Sequence, residues 1–172
     1  MLGLFDLTVL PACGEAPLDP LLPVDEAVAM VALSKARDSA SRAPKGSLVL
    51  GADTIVCLAG KILGKPKNAA EASAMLHALS GKKHTVYTGM ALIQDDRELW
   101  DTAAADVWFR PMEDPEIEAY IATGSPLDKA GAYAIQEHGE DLISTIDGSF
   151  TNVIGLPVER LTETIHYLLN MS

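Results

Sequence analysis

Residues 47–67 have the sequence SLVLGADTIVCLAGKILGKPK, and this stretch decides the fold. Its apolar run over 48–58 predicts a buried strand, and Ala59-Gly60 predicts a hairpin turn after that strand. Gly51 interrupts the run and indicates either a bend or a close approach of another part of the backbone. The stretch therefore predicts a strand, a turn and a short hairpin-like return.

Two charged residues stand out in the same stretch. Asp53 closes its most apolar part, and Lys65 follows in the tight loop formed by residues 64–67. A carboxylate at a strand end can bind Mg²⁺ or activate water, and a nearby lysine can neutralise phosphate. Taken alone, Asp53 is more typical of a turn or capping aspartate, and Lys65 of a polar turn. Together they suggest phosphate-ester chemistry.

The rest of the chain alternates predicted strands with predicted helices. Hydrophobic periodicity, caps and turn residues predict strands over 5–10, 48–58, 85–93, 98–109 and 142–146, and helices that begin near residues 25, 68, 114 and 157. Adjacent strands also form apparent hairpins. We therefore expect an α/β fold in which helices flank a mixed, twisted sheet, within a single domain over 1–172.

The composition restricts the classes of function. Hydrophobic residues make up 48% of the 172 positions, which is typical of a folded domain, and the net charge of −11 disfavours broad contact with nucleic acid or an anionic membrane surface. The two cysteines form no disulfide framework, so we expect reduced, partly buried thiols. The four histidines show no metal-ligand spacing, so we expect surface or satisfied core residues. The absence of a signal peptide and of a membrane-spanning stretch predicts a soluble, cytoplasmic protein.

Three further residues are candidates because of their surroundings. Lys35 lies past the apolar segment of the first predicted helix, where a lysine ordinarily snorkels at the helix edge. Glu15 lies in a proline-rich loop, where an acid is ordinarily solvated. Gln136 ends a segment of small and polar residues, 125–136, which would let a ligand approach the backbone or would simply be a packed connector. Its amide carries a donor and an acceptor, which suits recognition of a pyrimidine edge.

Together these segments resemble the Maf family of nucleoside triphosphate pyrophosphatases. The resemblance covers nearly the whole chain, and its strength lies in several ordered motifs at compatible spacing. The matching positions are Gly51 to Thr54, Leu63 to Pro66, Leu79 to Gly81 with His84, Val86 and Thr88-Gly89, Asp128 to Tyr133 with Ile135-Gln136, and Gly148-Ser149 with Asn152 and Gly155 to Pro157.

The resemblance implies a fold and a reaction. Family members have a mixed α/β fold of two lobes with a central cleft. They hydrolyse a nucleoside triphosphate to the monophosphate and pyrophosphate with a divalent metal, Mg²⁺ or Mn²⁺. By resemblance, Asp53 is the catalytic base, Lys65 and Lys35 hold the phosphates, and Glu15 acts with Asp53 at the metal or the water.

Two further positions bear on the substrate. By resemblance, Thr54 and Gln136 are similar to the family branch that acts on dTTP and UTP, whereas a branch that acts on 7-methyl-GTP differs there. We therefore expect a pyrimidine nucleoside triphosphate as the small-molecule partner, with modified pyrimidine nucleotides included. A homodimer is a family-level expectation, and no nucleic-acid or membrane partner is expected.

One departure from the family pattern leaves alternatives open. Family members usually begin with a strand and a loop of approximate sequence S-x-S-P-R-R that contacts phosphate, and this chain has no such segment. We therefore expect a domain without the family's first strand and phosphate loop. Besides an enzyme, the chain could be a catalytically impaired nucleotide-binding protein that acts through a cell-division partner, since the family has been linked to septum formation. An acidic structural protein without catalysis is the third hypothesis.

Overall fold

The computed structural model describes residues 6–14, 16–136 and 138–170. Within these residues the chain forms five strands and five α-helices. Their order is α1 Val24–Ala40, β1 Val49–Leu58, β2 Lys61–Leu63, α2 Ala69–Leu79, β3 Lys83–Gln94, β4 Arg97–Phe109, α3 Asp114–Ala122, β5 Ile143–Asp147, α4 Phe150–Ile154 and α5 Val158–Asn170. None of the helices that the structure describes is both long and apolar enough to cross a membrane.

The five strands form one open sheet in the order β2-β1-β3-β4-β5. β2 pairs antiparallel with the end of β1, with Val56 opposite Leu63, and β5 pairs antiparallel with the end of β4. The α/β class with a sheet flanked by helices is confirmed, but the sheet is antiparallel and not mixed. Two-residue turns join β1 to β2 and β3 to β4, and such turns connect only antiparallel neighbours.

The first of these turns explains why the chain reverses after β1. Ala59 and Gly60 both have positive φ, 49° and 81°, as the two central positions of a type I′ hairpin turn require. Glycine adopts this conformation at no steric cost, whereas Ala59 is strained there. The predicted hairpin turn is therefore confirmed.

The strand predicted over 5–10 is wrong for the residues that can be compared, since residues 6–10 form no strand. Their apolar side chains point to solvent: Leu7 is 69% exposed and Val9 is 87% exposed. The segment is instead attached by its backbone, because the Ser39 hydroxyl donates to the Leu10 carbonyl oxygen at 2.9 Å. Alternating polarity predicted a strand here, but no apolar surface covers one face of the segment.

The chain divides into two compact units, in agreement with the two lobes that the resemblance implies. The first unit contains residues 1–53, 88–103 and 156–172, and the second contains 54–87 and 104–155. In the first unit, alanines of α1 pack against β3, and the apolar face of α5 buries Leu161, Ile165 and Leu168 as its periodicity predicted. The core of the second unit is larger and includes Leu76, Leu79, Val107, Ile117 and Tyr133.

A cap defines where α2, a helix of the second unit, begins. The Asn68 side chain accepts a hydrogen bond from the Glu71 amide at 2.9 Å, as the sequence predicted for α2. The Glu71 carboxylate in turn accepts from the Lys67 amide at 2.7 Å, so this capping interaction also holds the loop that carries Lys65. The beginning of α2 therefore fixes the end of that loop.

Candidate active site

Asp53 and Lys35 form an ion pair in the first unit. The Lys35 Nζ donates to Asp53 Oδ1 at 2.5 Å, and the two side chains are only 24% and 12% exposed. The structure thus joins two residues that lie 18 positions apart and that the sequence could only nominate separately. Lys35 is not a lysine whose head group extends into open solvent, and Asp53 lies within β1 and not in a turn.

The close approach of α1 to β1 at Gly51 explains this pairing. A Cβ atom on Gly51 would collide with the Ala32 carbonyl oxygen and lie 2.7 Å from the Ala36 amide nitrogen. Gly51 and Asp53 are two residues apart on one strand, so both face α1. Lys35 lies in the same turn of α1 as these alanines, and it therefore reaches Asp53. Of the two readings of Gly51, the close backbone approach is confirmed.

A second glycine, Gly89, allows another strand to approach the same helix closely. A Cβ atom on Gly89, in β3, would lie 2.6 Å from both the carbonyl carbon and the oxygen of Val28 and 2.7 Å from the Ala29 Cα. Small residues on α1 complete this fit, since Ala29, Ala32 and Ala36 are fully buried. The position of α1, and with it that of Lys35, is therefore set by backbone contacts with two strands.

Lys65, Thr54 and Gln136 belong to the second unit. Lys65 is exposed in the loop after β2, and its neighbour Gly64 accepts a hydrogen bond from the Gly131 amide at 3.1 Å. Thr54 lies on β1, where a Cβ atom on Gly155 would come within 3.3 Å of its hydroxyl oxygen. Gln136 follows the buried Ile135 and has an exposed side chain. The end of α4 therefore lies beside Thr54, and the segment before Gln136 lies beside the Lys65 loop.

The expected metal ligands can be tested only in part, because Glu15 lies outside the described residues. Within the described ranges, no group of three or more His, Cys, Asp and Glu side chains is arranged to hold a metal ion. Mg²⁺ is usually bound by one or two carboxylates together with substrate phosphates and water. Asp53 therefore fits a metal that arrives with a triphosphate, whereas a cage built from the described protein ligands alone does not fit.

One buried polar cluster was not predicted. His84 is 2% exposed, its Nε2 shares a 2.8 Å hydrogen bond with the Tyr133 hydroxyl, and its ring contacts Phe109 edge to face at 4.9 Å. Its Nδ1 has no hydrogen-bond partner among the described residues. Burial lowers the pKa of His84 to about 4, although the charge of Asp106 acts in the opposite direction. The expectation of a surface or fully satisfied histidine is therefore wrong for His84.

His77 lies on the surface of the second unit, and its pKa is shifted in the opposite direction from that of His84. Its Nδ1 donates to the Ser73 carbonyl oxygen at 2.7 Å, and its Nε2 donates to Asp114 at 3.1 Å. These acceptors, the Ser73 carbonyl first, raise the pKa of His77. Both ring nitrogens face oxygen acceptors, so His77 joins α2 to α3.

His84 predicts a loss of stability in acid. Its folded-state pKa of about 4 lies below the ordinary value of 6.5, so protonation favours the unfolded chain. The part of the free energy of unfolding that depends on His84 is fully present above pH 6.5. It is lost as the pH falls toward 4, by about 1.4 kcal/mol per pH unit and about 3 kcal/mol in total. Urea unfolding between pH 7 and pH 4 should show a smaller pH dependence for His84→Gln than for the native chain. The exposed His166→Gln is the control, and equal slopes in all three proteins would contradict the prediction.

Comparisons with known proteins agree with the motifs at this site. The family model described as Maf-like protein matches residues 2–168. The chain is 45% identical over 157 residues to the dTTP/UTP pyrophosphatase of Gloeobacter violaceus, a match that covers 91% of this chain and 82% of the relative. It is 47% identical to the protein of the same name from Symbiobacterium thermophilum, over 81% of this chain and 72% of that one. It is 48% identical to the dTTP/UTP pyrophosphatase of Moorella thermoacetica, over 84% of this chain and 75% of that one.

Proposed function

The chain belongs to the Maf family, and we propose that it is a nucleoside triphosphate pyrophosphatase that hydrolyses dTTP and UTP to the monophosphate and pyrophosphate. The observation that carries this proposal is the Lys35–Asp53 pair, because it places an ammonium group against a carboxylate at a site of low exposure. The names of relatives that are 45–48% identical support the same reaction and the same pyrimidine substrates.

Asp53 is the proposed general base. Its carboxylate lies against the ammonium group of Lys35, and a carboxylate can accept a proton from water. Asp53 would orient a water molecule and take its proton as the oxygen attacks the α-phosphorus. The bond to the pyrophosphate leaving group then breaks, so the products are the monophosphate and pyrophosphate.

Lys35 and Lys65 are the proposed phosphate ligands. Lys35 lies next to the base, so a phosphate group that replaces Asp53 as its partner would be held beside the attacking water. Lys65 is exposed on a loop whose two sides are fixed by the Gly131 and Glu71 contacts. Positive charge held in place at the leaving group stabilises the charge that develops there during the reaction.

A divalent cation, Mg²⁺ or Mn²⁺, is proposed to enter with the triphosphate. Asp53 is its ligand among the described residues, and Glu15 is the proposed second carboxylate. When bound, the cation polarises the phosphoryl oxygens and offsets their charge. The protein's own contribution is the position of the base and of the two lysines.

Thr54 and Gln136 are the proposed specificity residues. Gly155, with φ 112° at the end of α4, lies beside Thr54, and a Cβ atom on it would come within 3.3 Å of the Thr54 hydroxyl oxygen. Gln136 offers an exposed amide with a donor and an acceptor, which can pair with the edge of a uracil or thymine ring. Gln136 is therefore suited to a pyrimidine edge, and the role of Thr54 is proposed from the resemblance to the branch that acts on dTTP and UTP.

The test is pyrophosphate release by the 172-residue chain with Mg²⁺ or Mn²⁺ and each of dTTP, UTP, CTP, GTP and 7-methyl-GTP. We expect turnover to be selective for dTTP and UTP and to stop when the cation is chelated. A folded sample that binds dTTP without releasing pyrophosphate would overturn the enzymatic proposal and favour the nucleotide-binding alternative. Turnover that prefers 7-methyl-GTP would overturn the roles of Thr54 and Gln136.

A further inference from the structure

A buried hydrogen bond anchors the segment that leads to Gln136. The His84 Nε2 atom and the Tyr133 hydroxyl oxygen are 2.8 Å apart, and the two residues are only 2% and 6% exposed. The Tyr133 ring also contacts the ring of Phe109, with the centroids 4.8 Å apart and the planes at 74°. Tyr133 precedes Gln136 by three positions. Its side chain therefore ties this segment to β3, through His84, and to β4, through Phe109.

The backbone on either side of Tyr133 is also fixed. Ala132 is fully buried and has φ 60°, a left-handed conformation that costs an alanine free energy because of its Cβ atom. The Ala134 amide donates to the Tyr120 hydroxyl at 3.1 Å, and the Ala134 carbonyl oxygen accepts from the Gly139 amide at 3.1 Å. A strained backbone of this kind persists only where its surroundings hold it, and it is typical of binding and catalytic segments.

Stability of the fold does not account for a histidine at this position. The His84 Nδ1 atom has no hydrogen-bond partner in the part of the chain that the structure describes. A buried polar atom without a partner destabilises the folded chain, whereas two apolar side chains of similar shape would fill the same site without that loss. What the hydrogen bond between His84 and Tyr133 adds is a fixed position for the tyrosine and for the backbone that carries it.

We infer that His84 and Tyr133 are positioning residues for the proposed reaction, because their hydrogen bond holds Gln136 where it recognises the pyrimidine edge. The inference rests on the proposed function, which gives Gln136 this role. Thymine presents an acceptor where cytosine presents a donor, and an amide that is free to turn matches either one. A preference for thymine therefore requires the segment to be held in place. His84 and Tyr133 do not touch the nucleotide themselves, and they act through the backbone of residues 133–136.

The experiment measures kcat and KM for dTTP and dCTP, together with the binding of dTMP and dCMP to the full chain by calorimetry. Tyr133→Phe keeps the ring and removes the hydroxyl. It should lower the preference for dTTP over dCTP by about threefold to tenfold, mainly through a higher KM for dTTP. It should also lower Tm, since it leaves the His84 Nε2 without the hydroxyl that it contacts.

Two further variants test whether the hydrogen bond itself is required. His84→Gln supplies an amide that can replace Nε2 as the partner of Tyr133, so it should retain most of the preference for dTTP. Thr85→Val is the matched control, because it removes a 2.7 Å hydrogen bond to Asp106 from the neighbouring position of the same strand. Its preference should equal that of the native chain. A loss of preference in Thr85→Val as large as in Tyr133→Phe would overturn the inference.

The double variant His84→Leu with Tyr133→Phe separates positioning from stability. It removes both polar groups together, so its Tm should return to that of the native chain or exceed it. The preference for dTTP should nevertheless stay as low as in Tyr133→Phe, because the hydrogen bond is still absent. A preference that recovers together with Tm would overturn the inference, since the pair would then serve the stability of the fold alone.

Direct binding distinguishes this inference from the proposed function. A native chain that binds dTMP more tightly than dCMP, and that loses this preference in the double variant, would support the inference even if dTTP is not hydrolysed. Hydrolysis of dTTP with the same preference in the native chain and in the double variant would support the proposed function and overturn the inference. The absence of any preference between the two bases in the native chain would overturn it as well.

Discussion

Asp53→Asn is expected to lower kcat for dTTP by roughly 10²-fold to 10⁴-fold while the chain still folds. The amide has nearly the same size as the carboxylate and can still contact the Lys35 ammonium group through its oxygen, but it cannot accept the proton of the attacking water. The KM for dTTP should change much less than kcat, because the lost interaction is made in the transition state. The measurement is the rate of pyrophosphate release at saturating dTTP and Mg²⁺.

The same helix provides a matched control for this variant. Arg37, also on α1, forms a two-pronged ion pair with Glu98 at 2.9 and 2.6 Å, and both residues belong to the first unit. Glu98→Gln therefore breaks an ion pair of α1 without changing the proposed base, and its kcat should stay close to that of the native chain. An Asp53→Asn variant as active as Glu98→Gln would remove Asp53 from the role of base.

The sequence allowed the elements to be predicted better than their partners. β1, its hairpin turn, the α2 cap and the buried face of α5 all followed from local patterns, because a strand, a turn and a cap are decided within a few residues. The strand predicted over 5–10 failed because its alternation gave no information about whether a core would cover it. The sheet was predicted to be mixed because strands alternate with helices while adjacent strands form apparent hairpins. The strand order of the antiparallel sheet is not decided by such local patterns.

The candidate site could be predicted only as a set of residue types. Asp53 and Lys35 were each more typical of a structural residue when considered alone, and no spacing rule connects two positions 18 apart on a strand and a helix. The signal that could have connected them was Gly51, since a glycine inside a buried strand indicates close backbone approach. Once α1 is known to be the element that approaches, Lys35 is the lysine that faces Asp53.

The polar cluster around His84 could not be predicted for a different reason, which is that it depends on long-range pairing. A histidine in an apolar context was expected to have satisfied nitrogens, yet Nδ1 lacks a partner among the described residues. Its partner Tyr133 lies 49 positions away, and burial raises the pKa of that phenol, so the hydroxyl stays protonated as a hydrogen-bonding group. Long-range pairing of this kind depends on the packing of the second unit, which local patterns do not specify.

Gly89→Ala is expected to destabilise the protein by about 3 kcal/mol or more, because its new methyl group meets the backbone of α1 at 2.6 Å. Side chains can adopt other rotamers, but a carbonyl group held in a helix can move only with the helix. For a chain of this size the expected fall in Tm is roughly 6–12 °C. Thermal unfolding followed by circular dichroism would measure it.

Gly14→Ala is the control for this change, since a Cβ atom at Gly14 meets nothing within 4 Å in the described structure. Its unfolding temperature should be unchanged or slightly higher, because alanine restricts the unfolded chain more than glycine does. Equal unfolding temperatures for Gly14→Ala and Gly89→Ala would contradict the close approach of α1 to β3.

Gly51→Ala should destabilise the protein by about as much as Gly89→Ala does, and it should also lower kcat. The methyl group would collide with the Ala32 carbonyl oxygen, so α1 has to move away from β1 and carry Lys35 away from Asp53. Ala36→Gly removes one contact of the new methyl group but leaves the backbone contacts with Ala32 and Ala36, so the double variant should not recover. Recovery of both Tm and kcat in the double variant would mean that a side chain, and not the helix backbone, sets the distance between the lysine and the aspartate.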